Sequence, residues 1–397
     1  MFKVPNDELR RRLDKLGEIM EKNKLDGLYI TNATTFKYLI NYFYIQTERP
    51  AALLVDRNLD VYFLGPIMEE EHVLSQSNII KGTMVYPDYP GESHPFKHFA
   101  NSIHGIIKGK CLGVDNSRLY PEISGFRGIP PIEVLPNIKL VDLHRELYDM
   151  RKIKSPIEQE LLRESSRWGN LAQALLQKYT EPGKYGFEVS SKATNEAKIA
   201  ATEMFAKHSK PPLNYPLDIY ARITGAVGPH SYHPHSLTID KELKLGDILI
   251  SDATGNIEGY HTEIERNMFL GKPDEKTTKF HKLSVEMQAE ALRELQIGRR
   301  CSDIDKAVVQ FAKEHGVLKY RLHHSGHGIG LDRHEAPFLD VGDNTVIEAG
   351  MVFSIEPGIY IKKLGGFRHS DTVIMHEYGP ELITYYPNET EELTINR

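Results

Sequence analysis

Apolar positions recur at helical spacing over residues 7–24, where Leu9, Leu13, Leu16, Ile19 and Met20 share one stripe and polar residues fill the other faces. That pattern predicts an amphipathic helix, with Asp7 placed to cap it. Short apolar runs rich in β-branched and aromatic residues follow at 27–30, 51–55, 61–64 and 111–114. Their length favours strands, and the polar helical stretches between them have the rhythm of an α/β layer.

The pattern changes around residues 150–156. A charged stretch ends in Ser155-Pro156-Ile157-Glu158, a helix-start signal made of a cap, a proline in the first turn and an acid. Helices are expected from there to about residue 178 and over about 187–208. Strands should follow at about 218–226, 247–254 and 260–270, then helices at about 274–296 and 302–315. Closing strands are expected at about 351–361 and 367–376. A chain of 397 residues is long for one domain. The break in pattern divides it into an N-terminal domain over 1–150 and a C-terminal domain over 151–397.

Composition excludes several classes of function. Charged residues at 26% and hydrophobic residues at 40% are those of an ordinary globular chain, not a disordered one. The net charge of −6 offers no reason to expect nucleic acid or an anionic membrane as partner. No apolar run is long enough for a membrane span, and the N-terminus lacks the apolar segment of a signal peptide. Cys111 and Cys301 lie far apart in no metal-type spacing, which points to a reducing compartment and hence a cytoplasmic location.

The second half carries the chemistry. Residues 248–252 are a buried-strand run ending in an acid, although Asp252 taken alone would equally cap a turn with Thr254 and Gly255. Glu263 and Glu265 flank Ile264, so on a strand both carboxylates point to one face. Like charges there repel unless something positive lies beside them, and Arg266 points the wrong way; a solvated sheet face is the plainer alternative. His327 is embedded in His324-Ser-Gly-His-Gly-Ile-Gly, where glycines let the backbone approach a site, with His334 beyond. His323 and His324 have no assigned role. Glu356 ends the core strand at 351–355, a place where a charge seldom serves packing. Pro234-His235 and Arg368-His369-Ser370-Asp371 complete the set. Carboxylates and histidines at strand ends are what a hydrolase uses to hold a metal or move protons.

In this order the segments resemble the "pita-bread" fold of the methionine aminopeptidase, prolidase, aminopeptidase P and creatinase family. The motifs that carry the likeness are Gly246-Asp247 with Asp252, Gly259-Tyr260, the glycine-flanked His327, His334-Glu-Ala-Pro337 and Ile355-Glu-Pro-Gly-Ile-Tyr360. The first half is similar in size and pattern to the N-terminal domain of the prolidase and creatinase branch. The resemblance therefore implies an α/β N-terminal domain plus an α+β pita-bread catalytic domain, and a homodimer.

Peptidases of that family hold two divalent metals with Asp, Asp, His, Glu and Glu. Carried onto this chain, the resemblance implies Asp252, Glu263 in place of the second Asp, His327 and Glu356 as ligands, while Ser370 stands where the last Glu would be. Strand alternation turns His369 and Asp371 away from the site. The set implies one metal ion, Mn, Co or Zn, on Glu263, His327 and Glu356, with Asp252 assisting. Glu356 would relay the proton, and His235 and His334 would steady the oxyanion. The activity implied is hydrolysis of a C–N bond in a small peptide, of the Xaa-Pro dipeptidase or aminopeptidase P type. Creatinase, the metal-free branch, implies a second expectation, in which His235 shuttles the proton while Glu265 and Glu356 grip a small cationic or zwitterionic substrate and no metal is bound. A binding protein on a catalytically decayed fold is the third.

Overall fold

The computed structural model describes residues 4–120, 127–208, 217–236 and 241–396. They form two compact units that part between Arg151 and Lys152. In the first, helix α1 (Asn6–Lys22) buries Leu9, Leu13, Leu16 and Met20, the stripe their spacing marks. The helix starts after Pro5 with no side chain capping it. Asp7 therefore lies inside the first turn, where its charge suits the helix dipole rather than a cap. Strands β1 (Gly27–Ile30), β2 (Ala52–Asp56), β3 (Val61–Pro66), β4 (Ile80–Tyr86), β5 (Cys111–Val114) and β6 (Lys139–Asp142) make one mixed sheet in the order β4-β3-β2-β1-β5-β6. Helix α2 (Pro95–Ile106) sends Phe96, Phe99 and Ile103 into one apolar cluster with Tyr29, Leu54 and Tyr86.

The second unit opens with α3 (Pro156–Tyr179) and α4 (Gly186–His208). Glu158 accepts a hydrogen bond from the Ser155 backbone N–H at 2.9 Å, and its other oxygen accepts from the Tyr260 hydroxyl at 3.0 Å. The start of α3 is thus tied to the chain that carries the acids. A four-stranded sheet contains β7 (Tyr220–Val227), β8 (Ile248–Thr254) and β9 (Asn267–Leu270). A five-stranded sheet holds β10 (Gly326–Gly328), β11 (Glu335–Leu339) and β12 (Val352–Ile355). The short strands β13 (Gly358–Ile361) and β14 (Gly365–Arg368) form a separate antiparallel pair, and β15 (Asp371–His376) lies beside β12. Helices α5 (Glu275–Glu294) and α6 (Cys301–Glu314) pack Met287, Ala291, Ile304 and Val308 against Phe353, Ile355, Phe367 and Val373.

Three strands expected to be continuous are broken, and each break falls at the site. The run at 260–270 divides because its middle changes partners. Ile264 exchanges hydrogen bonds with Ala253 of β8, while Glu265 exchanges them with Ser370. The acid-bearing segment is therefore stitched to two different neighbours. The run at 351–361 breaks at Glu356-Pro357, where proline has no N–H to donate to a ladder. The run at 367–376 breaks at His369-Ser370. Glu263 and Glu265, Glu356, and Ser370 stand at these three breaks.

Candidate active site

The cavity has a volume of about 870 Å³ and is lined by His235, Asp252, Glu263, Glu265, His334 and Glu356 together with Arg222, His323, Arg333 and Arg368. His327 lies just behind this lining, fully buried on β10. All seven site residues expected from the sequence are thus brought to one place. His235 is exposed and sits on the loop after Tyr232, within electrostatic reach of His334.

Local backbone explains the crowding. A Cβ on Gly326 would meet the Ser354 carbonyl oxygen at 2.1 Å, so only glycine lets β10 approach β12 closely enough to seat His327 opposite Ser354. Ser354 and Ser370 both donate to Glu263 Oε1 at 2.8 Å. Ser370 therefore faces the cavity, as alternation requires. Its neighbours face away: Asp371 pairs with Arg266 at 2.9 Å, and His369 contacts His281 at 2.9 Å.

Four buried carboxylates in one cavity would repel, and sequence reasoning left the compensating cations unidentified. They are three arginines. Arg222 lies opposite Asp252 in the β7–β8 register and donates to its Oδ2 through Nε at 3.0 Å and Nη2 at 2.7 Å. Arg333 Nη2 donates to Asp252 Oδ1 at 3.3 Å and Glu263 Oε2 at 3.4 Å. Arg368 Nη2 donates to Glu265 Oε1 at 2.5 Å, and its Nε stands 2.5 Å from Oε2 and 3.7 Å from Glu356 Oε2. The Tyr360 hydroxyl accepts from Arg368 Nη1 at 3.2 Å and donates to His323 Nε2 at 2.8 Å, because His323 Nδ1–H is given to the His324 carbonyl. His323 and His324 thus belong to the cavity after all. Arg333 was visible as the neighbour of His334, but nothing in the local sequence says which acids it meets.

Both oxygens of Asp252 are engaged by guanidinium groups, of Arg222 and Arg333, so Asp252 would have to exchange an arginine contact to serve as the metal ligand expected of it. Glu265 likewise has its cation already, in Arg368. Burial raises the pKa of Asp252, Glu263 and Glu265, with neighbouring carboxylate charge adding to it. Glu356 is the exception, since the pull of His327 and Arg368 outweighs its burial and holds it below the usual range.

His327 provides the test of whether a metal fits. Its Nδ1 bonds to the Gly328 carbonyl at 3.0 Å, which leaves Nε2 as the nitrogen aimed at the acids. Nε2 is buried and makes no aligned hydrogen bond, although Glu356 Oε1 lies 3.3 Å away. Burial lowers the pKa of this ring, yet Glu356 and Glu263 together lift it to about 9. A nitrogen so placed attracts either a proton or a cation. Donor atoms of Glu263, His327 and His334 lie within 4.8 Å of one another, as do those of Glu263, Glu265 and Glu356. This mixed nitrogen and oxygen set fits a divalent ion. His334 stacks on His327 with centroids 3.9 Å apart, and burial with the nearby His327 charge lowers its pKa to about 4. Its ring is neutral at pH 7.

The geometry has counterparts among known proteins. Residues 160–377 match the model of metallopeptidase family M24, and residues 12–153 match the creatinase/prolidase N-terminal domain. The Xaa-Pro dipeptidase of Pyrococcus furiosus is 28% identical, over 95% of this chain and 98% of its own. The probable dipeptidase PepE of Mycobacterium tuberculosis is 32% identical, over 92% and 91%. Among solved structures, the prolidase from Pyrococcus horikoshii OT3 superposes with a TM-score of 0.79 at 26% identity, covering 96% of this chain and 99% of that one.

Proposed function

The chain belongs to metallopeptidase family M24, and on that footing we propose that it hydrolyses the C–N bond of short Xaa-Pro peptides with one divalent ion in the cavity. Glu263, His327 and Glu356 would hold the ion, with His334 beside them. The observation that carries this reading is the buried Nε2 of His327, which has no aligned hydrogen bond and faces Glu356 at 3.3 Å, Glu263 and His334. A second ion is not proposed, because Ser370 brings no charge and Asp252 is held by arginines.

When bound, such an ion supplies Lewis acidity toward the scissile carbonyl. The rest falls to the chain. Glu356, ionised across the neutral range, accepts a proton from the attacking water and returns it to the leaving nitrogen. His334, neutral, donates a ring N–H to the oxygen on which negative charge develops, and His235 donates from the cavity wall. Arg368 fixes Glu265 and, through it, the floor of the cavity. We further propose a homodimer in the cytoplasm, the latter supported by two cysteines that form no disulfide.

A metal-free, creatinase-like hydrolysis of a zwitterion is the second reading, and one observation favours it. With a proton on His327, three guanidiniums and one imidazolium balance the four carboxylates without any ion. Elemental analysis after loading with Mn, Co and Zn and desalting separates the two. About one ion per chain, with Xaa-Pro cleavage abolished by a chelator, is the expected result. No bound ion, with hydrolysis indifferent to chelator, transfers the assignment to the second reading.

A further inference from the structure

Asp252 and Glu263 are both nearly inaccessible to solvent, and the chain places its own cation between them. Arg333 Nη2 bridges one oxygen of each, while Arg222 takes the remaining oxygen of Asp252. Both guanidiniums lie over Tyr220, at 5.2 Å for Arg222 and 5.4 Å for Arg333, and the Tyr220 hydroxyl accepts from Arg333 Nη1. Tyr220 therefore sets the two cations against the same acid. Two buried carboxylates that share one positive charge are also what a hard divalent ion seeks. A tethered guanidinium competes with that ion at a high effective concentration that dilution cannot lower.

We propose that Arg333, with Arg222 securing Asp252, is a resident cation that excludes a second divalent ion from the Asp252–Glu263 side of the cavity. The inference rests on the metal-bearing reading above only for the number of ions in the unaltered chain. Removing one arginine leaves the other to neutralise Asp252, so both must go before the pair of acids stands uncompensated. Replacement by methionine keeps the length and much of the volume of each side chain while deleting the charge and the donors.

The test compares the unaltered chain, Arg333→Lys, and the double variant Arg222→Met/Arg333→Met. Each is loaded with Mn²⁺, desalted and assayed for metal per chain. The double variant is expected to gain about one ion over the unaltered chain, whereas Arg333→Lys, which keeps the charge, gains none. Adding Asp252→Asn to the double variant should erase the gain. An unchanged metal count in a double variant with native far-UV circular dichroism overturns the proposal. If the double variant does not fold in metal-free buffer, its thermal melt with Mn²⁺ decides. Recovery of a cooperative transition supports the proposal, and no recovery overturns it. Should the unaltered chain bind no ion, the single-ion reading fails, yet the gain in the double variant still stands or falls on its own count.

Discussion

Lys154 and Glu335 form an ion pair at 2.5 Å with side chains only 2% and 3% exposed. Glu335 directly follows His334 and Arg333, and a Cβ on Gly330 would meet its Oε1 at 2.7 Å, so the pair fills the space beneath the turn that presents both residues. Glu335 Oε2 has no hydrogen-bond partner, which makes Lys154 the main compensation for a buried charge. Lys154→Met keeps the aliphatic stem and removes that compensation. Breaking a buried pair on one side costs about 3–5 kcal/mol, because the remaining charge is stranded away from water. Total stabilities run to about 5–15 kcal/mol, so the variant should lose a large share of its margin. Lys154→Met/Glu335→Leu removes both charges and should recover most of the loss, leaving it within about 1 kcal/mol of the parent. Urea denaturation of the parent, both single variants and the double gives the cycle, and turnover on an Xaa-Pro dipeptide shows whether the turn has shifted. A cost below about 1 kcal/mol for Lys154→Met, or a double variant no more stable than the single, would refute the argument that the pair is electrostatically compensated.

Two further outcomes follow from the same structure. His327→Ala should lose bound metal and at least about 100-fold in turnover, and a variant that keeps its full rate would sink the proposed site. The contribution of two buried rings to stability should fall on mild acidification, because burial holds His281 at about 4 and His369 well below its ordinary value. The folded state keeps both rings neutral while the unfolded chain binds protons below about pH 6.5, so the stability is complete above that pH and is lost as pH falls toward 4. At pH 5 the loss from His281 should be about 2 kcal/mol, read as the change between pH 7.5 and 5 in the stability difference between the parent and His281→Phe in urea; a difference that does not change would contradict it.

Local pattern alone determined much of this molecule. Helical spacing located the buried face of α1, and the Ser155–Glu158 signal located the start of α3. Strand alternation placed Glu263, Glu265 and Ser370 toward the cavity and turned Arg266, His369 and Asp371 away. Such inferences succeed because a side chain's direction on a strand depends only on its parity. The same reasoning ran three strands through their breaks at residues 262–266, 356–357 and 369–370, because a change of pairing partner leaves no mark on alternation. Nor did it find the cations. Arg222 faces Asp252 only through the register of β7 on β8, and Arg333 reaches Asp252 and Glu263 from more than 60 residues away along the chain. The sequence, read with its family resemblance, named seven acids and histidines that gather in the cavity, but not His323 or His324. Which positive charge each acid meets, and so whether an acid remains available to a metal, was decided only by tertiary structure, because electrostatic partnership depends on distance through space and not on spacing along the chain.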